Sequence, residues 1–461
     1  MESLLFAVAL TLMLVAGHGV FWLIASTQKK VSAPEWWGLA WLYGAAVVAL
    51  ASFVAGALVA GAALRLTLTA ICLALGAAGT VRWRRHRTEI IWPRPRGVGD
   101  WLLVVVLLVQ AGFVAWISLR TILYWDALFN WEMKARLAYF NGGVIPLSYL
   151  SGAWLNIGHP EYPLLLPLAE SWFYGWIGAP HQGLIKLVSV PFYLAALSLL
   201  ASGGARIAGR RWSGWLPPLL LFFVPFILFN PGSATSGFAD FPLAAYYLGA
   251  ALALAEYLET GSDGARRILV SLSAILPWLK QEGAILWLCL VALAAIEALR
   301  RKRVRDVWLM VLPGAGVIIG WQIFVRIIKA PVGQDFMPFT PATLLANIGR
   351  TPAIIRELLA ELTEWRRWGV LWPGLVLALP LLKAVRRRQV MTLLLATVLP
   401  VAAYQVIYFF FRTADKSVED HIRGSLPRLL THVAPLAVLL VALAISSPPG
   451  ENEEGQIESR T

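Results

Sequence analysis

The chain is poor in charge. Asp, Glu, Lys and Arg make up 14% of its 461 residues, against roughly 25% in soluble domains, which argues against a water-soluble fold. It holds two cysteines, Cys72 and Cys289. Both lie inside apolar runs, far apart, and read as reduced, buried side chains with no disulfide or zinc pattern around them. No internal repeat and no soluble catalytic domain interrupts the sequence, and no nucleic-acid-binding motif accompanies the basic balance. Met1–Ile24 is apolar without a basic n-region or a small-residue cleavage site, so it is expected to stay as a span rather than act as a signal peptide. The short alternating segments of a membrane β-barrel are missing as well.

What remains is hydrophobic: 59% of residues are apolar or aromatic, and runs long enough to cross a bilayer recur from end to end. The expected fold class is all-α, a polytopic integral membrane protein. The formal net charge of +13 sits in loops between the runs, as topology determinants and phospholipid contacts rather than a nucleic-acid surface.

The basic clusters are Lys29-Lys30, Arg82 to Arg87 with Arg94 and Arg96, Arg206 to Arg211, Arg266-Arg267, Arg300 to Arg305 and Lys383 to Arg388. The positive-inside rule puts them on the cytoplasmic side. Alternating spans between them gives about thirteen crossings: Leu4–Ser26, Trp37–Ala60, Leu66–Val81, Trp101–Leu119, Leu184–Ser202, Leu216–Phe229, Phe241–Leu258, Ile268–Leu279, Ala284–Leu299, Val307–Ile328, Val370–Leu382, Met391–Phe411 and Leu429–Ile445. One apolar run breaks this parity. Counting Tyr162–Ile177 as a crossing would push Arg206–Arg211 outside, so it is read as a helix at, or dipping into, the outer interface. Pro163, Pro167 and Glu170 agree with that. The expected division is three amino-terminal helices over 1–98, a membrane domain over 99–446 with an outer loop at 120–181, and a disordered acidic tail over 447–461. A further outer segment, Lys329–Gly369, carries an amphipathic helix near Pro352–Trp368.

Five stretches carry chemistry. In Tyr124-Trp125-Asp126-Ala127-Leu128-Phe129-Asn130-Trp131-Glu132-Met133-Lys134-Ala135-Arg136, a carboxylate follows a span directly, and charge at a membrane border is a functional hypothesis by default. Asp126, Asn130 and Lys134 would share a helix face; the alternative is that Asp126 only caps that helix. In His159-Pro160-Glu161-Tyr162-Pro163, Glu161 stands before the interfacial helix, where its charge would also favour the helix dipole. Asp240, in Gly237-Phe238-Ala239-Asp240-Phe241-Pro242, opens a span and is equally a capping candidate. Lys280-Gln281-Glu282-Gly283 interrupts two short apolar halves; Lys280 and Glu282 either neutralise each other or line a cavity. Arg428, in Arg428-Leu429-Leu430-Thr431-His432, either snorkels or clamps a phosphate. His432, one turn deeper, reads as a hydrogen-bonded core residue, since no metal-ligand spacing surrounds it. Trp125, Trp131, Trp154, Trp172 and Trp176 crowd the first outer segment as an aromatic belt or as sugar-stacking platforms.

In that order, the outer Asp126, then Glu161-Tyr162-Pro163, Gly237 to Leu243, Lys280 to Gly283 and Arg428 to Pro435 resemble bacterial GT-C glycosyltransferases of the protein-O-mannosyltransferase and aminoarabinose-transferase group. The resemblance covers about Trp101–Ile445. It implies a GT-C-like membrane domain in the bacterial inner membrane, with an extracytoplasmic active site. The activity implied is inverting transfer of a sugar from a polyprenyl-phosphate donor to a glycan, lipid or protein hydroxyl. Asp126 would be the general base and Glu161 a second catalytic acid. Lys134, Asp240, Lys280, Glu282, Arg428 and His432 would bind donor phosphate or substrate. Many relatives carry Lys-Pro-Pro after the acid, where Tyr162-Pro163-Leu164 stands here, so the phosphate cation falls to Lys280, Arg428 or Lys134. The three spans before Trp101 also depart from the group.

In such a reaction a carboxylate takes the acceptor proton while cations stabilise the leaving lipid phosphate. A monophosphate leaving group needs less neutralisation than a diphosphate, so no cofactor is required and lysine and arginine can serve without a metal; a divalent ion is an open alternative that no motif indicates. Two other readings remain: a secondary transporter or lipid flippase, which ought to show inverted repeats, and an O-antigen-ligase-like polymerase, which ought to carry an outer loop rich in Arg and His. The topology has its own test. Cysteines introduced at Gly158 and Pro180 should both react with an impermeant reagent applied from the outer side. Labelling at Gly158 alone would make Tyr162–Ile177 a crossing.

Overall fold

A computed structural model describes residues 1–446 apart from 26–29, 96, 153–157, 211, 332, 334, 386–387 and 414–415. Trp154, parts of the basic clusters and the expected tail over 447–461 lie outside the described residues. The described chain is helical almost throughout. A two-stranded parallel sheet, Lys30–Ser32 beside Glu89–Ile91, ties two interhelix loops together, with Lys30 opposite Glu89.

Nine described helices are long and apolar enough to cross a membrane: Glu2–Ile24, Ala33–Ala55, Gly61–His86, Val98–Arg120, Gln182–Ala208, Asp240–Thr260, Gly283–Arg300, Val304–Ile327 and Arg388–Phe410. The pair Val418–Thr431 and Ala434–Ser446, bent by 56°, makes a tenth when taken as one span. This many-helix apolar architecture is that of a multi-pass membrane protein. The three other expected crossings lie in shorter helices. The run at Leu216–Phe229 is two short helices, Leu216–Phe222 and Pro225–Phe229, because Pro225 cannot continue a helix from Val224. The Ile268–Leu279 run belongs to a 17-residue helix, Asp263–Leu279. The Val370–Leu382 run lies in Leu371–Val385, of 15 residues. They are shorter than the other nine, but Asp263–Leu279 still joins Asp263, held by Arg266, to Lys280 on Asp240, and the Leu216–Phe229 pair leads to Gly232 beside Arg428.

The two ends of the bundle differ in charge. At one end Arg206 bridges Glu35 at 3.0 Å and Glu256 at 2.8 Å, Arg266 holds Asp263 at 3.0 Å, and Glu297 receives Arg301 and Arg388. This end collects most of the arginines. The other end lies about 30 Å away, the length of the 21-residue helix Asp240–Thr260 at ~1.5 Å per residue. It gathers the starts of Glu2–Ile24, Gly61–His86, Gln182–Ala208 and Asp240–Thr260.

The run at Tyr162–Ile177 is a 13-residue helix, Leu165–Ile177. Both its flanks meet that second end. Before it, His159 N–H donates to Asn130 Oδ1 at 2.9 Å. After it, His181 lies 3.6 Å from Glu2, and Lys186 donates to the carbonyls of Leu119 and Thr121 at 3.1 and 2.8 Å. The helix therefore enters and leaves at one end. It does not lie on the surface; nearly every residue is buried against Glu2–Ile24, Ala33–Ala55 and Met133–Phe140. Trp172 donates to the Ala9 carbonyl at 3.0 Å. Pro167 sits in its first turn, where a missing N–H costs no bond.

The amino-terminal helices pack closely among themselves and onto the rest. A Cβ at Gly17 would stand 1.7 Å from the Ala40 carbonyl oxygen, and one at Gly44 2.1 Å from that of Met13. Backbone thus meets backbone, as small residues allow between membrane helices. Helix Ala33–Ala55 in turn packs against Ser189–Ala208 and Leu165–Ile177. The amphipathic segment forms two helices, Thr351–Leu362 and Trp365–Trp368, where one was expected. Glu364 makes the break by accepting the Arg366 N–H at 3.1 Å.

Candidate active site

Asp240 opens helix Asp240–Thr260 and is fully buried. It caps nothing with its side chain. Oδ1 receives Lys280 Nζ at 2.7 Å and His432 Nε2 at 3.2 Å, and Oδ2 receives Arg428 Nη2 at 3.1 Å. The first-turn position adds the favourable end of the helix dipole.

Lys280 comes from the break between Asp263–Leu279 and Gly283–Arg300. Its ammonium also holds Glu282 at 2.8 Å, so it is shared by two carboxylates. Arg428 lies near the end of Val418–Thr431, and His432 sits in the bend that follows. His432 Nδ1 meets the Tyr404 hydroxyl at 2.9 Å. Arg428 Nη1 donates to Asp126 Oδ2 at 2.6 Å, and its guanidinium lies 4.7 Å from the centre of the Phe238 ring. Gly232, at φ +91°, packs against Arg428; a Cβ there would stand 3.1 Å from Arg428 Cγ. Asp126, Asp240, Lys280, Glu282, Arg428 and His432 thus form one connected ionic cluster. At sequence level Arg428 had no carboxylate partner and Lys280 only Glu282; in the fold each holds two.

Asp126 precedes a π-helical run, Ala127–Glu132, in which Met133 N–H reaches back to the Leu128 carbonyl. Its side chain makes no cap bond, so the capping alternative fails. The π-turn also undoes the expected common face. Asp126 turns to Arg428, while Asn130 and Lys134 turn to the His159 loop. Glu132 and Arg136, one turn apart, form an ion pair.

Glu161 and Lys134 belong to this second group. Glu161 lies in the turn ahead of helix Leu165–Ile177, not in its first turn. His159 Nδ1 stands 3.1 Å from Glu161 Oε1, and Trp321 Nε1 donates to the Glu161 carbonyl at 2.9 Å. Burial pushes the Glu161 carboxyl up, but the hydrogen bond from His159 and several smaller contributions outweigh it and hold the group below its ordinary value. The same bond raises His159 against its burial. Lys134 Nζ donates to the His159 carbonyl at 2.5 Å and, more weakly, to that of Tyr162 at 3.5 Å. Burial brings its ammonium down to about 7 against the pull of Glu161. Fully enclosed by these carbonyls, Lys134 is a clasp on the His159–Tyr162 turn rather than a free phosphate cation. Tyr162 connects the two groups: its ring stacks on His159 at 4.4 Å, and the charges of Glu282, Arg428, Glu161 and Asp126 all reach its phenol.

Among the described residues no group of three or more His, Cys, Asp or Glu side chains is arranged to hold a metal ion. Tyr404, His159 and Trp321 went unselected in the sequence. Tyr404 and Trp321 are hidden inside apolar helices, and only the neighbouring Glu161 marked His159. Compared with known proteins, the chain matches no family model, no curated protein and no solved structure. Fold and cluster together define a multi-pass helical membrane protein with a buried ionic network at one end.

The His159–Glu161 pair has a pH signature. His159 is raised, so its share of stability is full below its ordinary 6.5 and is lost as pH rises through the raised value. Glu161 is lowered, so its share is full above 4.5 and is lost as pH falls through the lowered value. Hydrogen-exchange protection of the Tyr162 amide, which donates to the His159 carbonyl at 3.0 Å, should peak between pH 4.5 and 6.5. His159→Gln should weaken the alkaline decline, leaving what Lys134, brought down to about 7, contributes at the same carbonyl. A wild-type profile independent of pH would separate this turn from the ion pair.

Proposed function

We propose that the protein is a membrane glycosyltransferase that moves a sugar from a polyprenyl-phosphate donor to a hydroxyl acceptor. The observation that carries this reading is the Asp126–Arg428 pair. A partly exposed carboxylate and a guanidinium stand 2.6 Å apart, at the edge of a cluster whose Asp240, Lys280 and His432 are buried. Asp126 accepts the proton of an acceptor hydroxyl as its oxygen attacks the anomeric carbon. The bond from that carbon to the phosphate oxygen breaks with its electron pair, and Arg428 stabilises the departing lipid phosphate. Guanidinium is suited to this because its planar fork matches two phosphate oxygens.

The remaining residues act through these two. Lys280, buried and held by Asp240 and Glu282, keeps Asp240 charged and in place. Asp240 orients Arg428, and His432 with Tyr404 fixes Asp240 from below. Glu161 and Lys134 shape the turn that carries Tyr162. The arginine-rich opposite end supports a cytoplasmic assignment for that face, by the positive-inside rule, and so an extracytoplasmic site.

An apolar groove of about 430 Å³ supports a long-chain donor. It lies between Glu2–Ile24, Ala33–Ala55, Asp263–Leu279 and Val304–Ile327. Gly316 and Gly320 leave its floor bare, with no atom within 4 Å of an added Cβ. Its upper end is lined by Trp278, two residues before Lys280, and by Trp321, which holds Glu161. An isoprenoid chain in this groove would bring its phosphate towards the cluster.

Two measurements test the reading. In proteoliposomes supplied with a polyprenyl-phosphate sugar, Asp126→Asn should retain the wild-type melting temperature and lose roughly 10²–10⁴-fold in kcat, the usual contribution of a general base. Near-normal turnover would remove Asp126 from the chemistry. Gly320→Leu, which fills the groove from an open position, should raise the apparent KM for donor several-fold with kcat unchanged. An unaltered KM would place the chain elsewhere.

A further inference from the structure

The two carboxylates that share Arg428 are unequally provided for. Asp240 receives Lys280, His432 and Arg428, whereas Asp126 is bonded by Arg428 alone among the described residues. If Arg428 turned away, Asp240 would still hold a cation at 2.7 Å and a second donor at 3.2 Å. Asp126 would be left as an unpaired carboxylate at a partly exposed position. Lys280 has no such freedom. It is buried, and its departure would take the cation from Glu282 and leave Asp240 to Arg428 and His432 alone.

Arg428 is also incompletely bonded. Its Nε is buried with no partner among the described residues, and so is Glu282 Oε2. The resting site thus keeps one free donor and one free acceptor, which a phosphate oxygen and a sugar hydroxyl would fill. The stem of Arg428 is packed on Gly232 and its head on the Phe238 ring, so the head can turn while the stem stays seated.

We infer that Arg428 is an exchangeable cation: it holds Asp126 in the empty site and passes to the phosphate of a bound polyprenyl-phosphate ligand, releasing the base only once that phosphate is in place. The inference rests on the glycosyl-transfer reading and adds an order to it, donor before acceptor. The charges balance. A donor phosphodiester carries one negative charge, and a free phosphate monoester carries ~1.5 to 2 near neutral pH. As the acceptor proton moves to Asp126, that carboxylate becomes neutral, and the electron pair of the broken anomeric C–O bond adds negative charge to the phosphate. Negative charge therefore travels from Asp126 to phosphate, and Arg428 follows it.

The test uses the full chain in lipid nanodiscs, with carbodiimide and an amine nucleophile to label accessible carboxyls and mass spectrometry to read Asp126. The probes are a polyprenyl monophosphate and inorganic phosphate. The lipid monophosphate should raise Asp126 labelling several-fold over the empty protein. Arg428→Gln should show the raised level with or without it; if that variant fails to fold, Arg428→Lys, which lacks the fork, should raise resting labelling in the same direction. An equal effect of inorganic phosphate would support exchange driven by the phosphate alone. Unchanged or reduced labelling, with lipid monophosphate bound by thermal shift, would overturn the exchange and leave the glycosyl-transfer reading standing. Failure of both the lipid monophosphate and the polyprenyl-phosphate sugar to shift the melting temperature would overturn that reading, and the exchange with it.

Discussion

One buried carboxylate organises this end of the molecule. Asp240 is wholly removed from solvent, and a lone carboxylate in such a place would cost several kcal/mol. The cost is offset only because an ammonium, a guanidinium and an imidazole converge on it. Those three groups come from the break after Leu279, from helix Val418–Thr431 and from the bend at His432. Satisfying Asp240 therefore draws together segments separated by as much as 192 residues. Arg428 extends the same network to Asp126, 302 residues earlier in the chain.

Irregular backbone gathers around this network. The π-run Ala127–Glu132, the break at Lys280–Glu282 and the bend at His432 all occur where polar side chains leave the bundle and enter the cluster. In an apolar surrounding, broken helices persist only where protein groups satisfy the freed backbone. The His159–Tyr162 turn follows the same logic. Its carbonyls are held by the Lys134 ammonium and the Trp321 indole rather than by neighbouring helix. The re-entering helix Leu165–Ile177 then returns the chain to the end it came from, so one loop supplies both Asp126 and Tyr162 to the site.

The proposed chemistry uses this asymmetry of support. Groups deep in the cluster are multiply bonded and act as a frame, while the outermost pair has a single bond to exchange. A catalytic carboxylate kept in an ion pair until its substrate arrives is also kept from idle proton chemistry with water.

Much of this was legible in the sequence, because it depends on quantities that sum along a chain. Hydropathy set out the helices, and the spacing of basic clusters was enough to keep Tyr162–Ile177 from being counted as a crossing. The border carboxylates and cations Asp126, Glu161, Asp240, Lys280, Glu282 and Arg428 stood out because charge is scarce around them. The runs at Leu216–Phe229 and Val370–Leu382 form shorter or broken helices, since an apolar run does not reveal where packing ends a helix. Tertiary structure alone decided the pairing. Lys134 went to backbone carbonyls instead of an open site, Tyr404 emerged from an apolar helix to bond His432, and Arg428 was divided between Asp126 and Asp240. Ion pairing depends on distance in three dimensions and on burial. Both are set by how the helices pack, so they cannot be read from residue order.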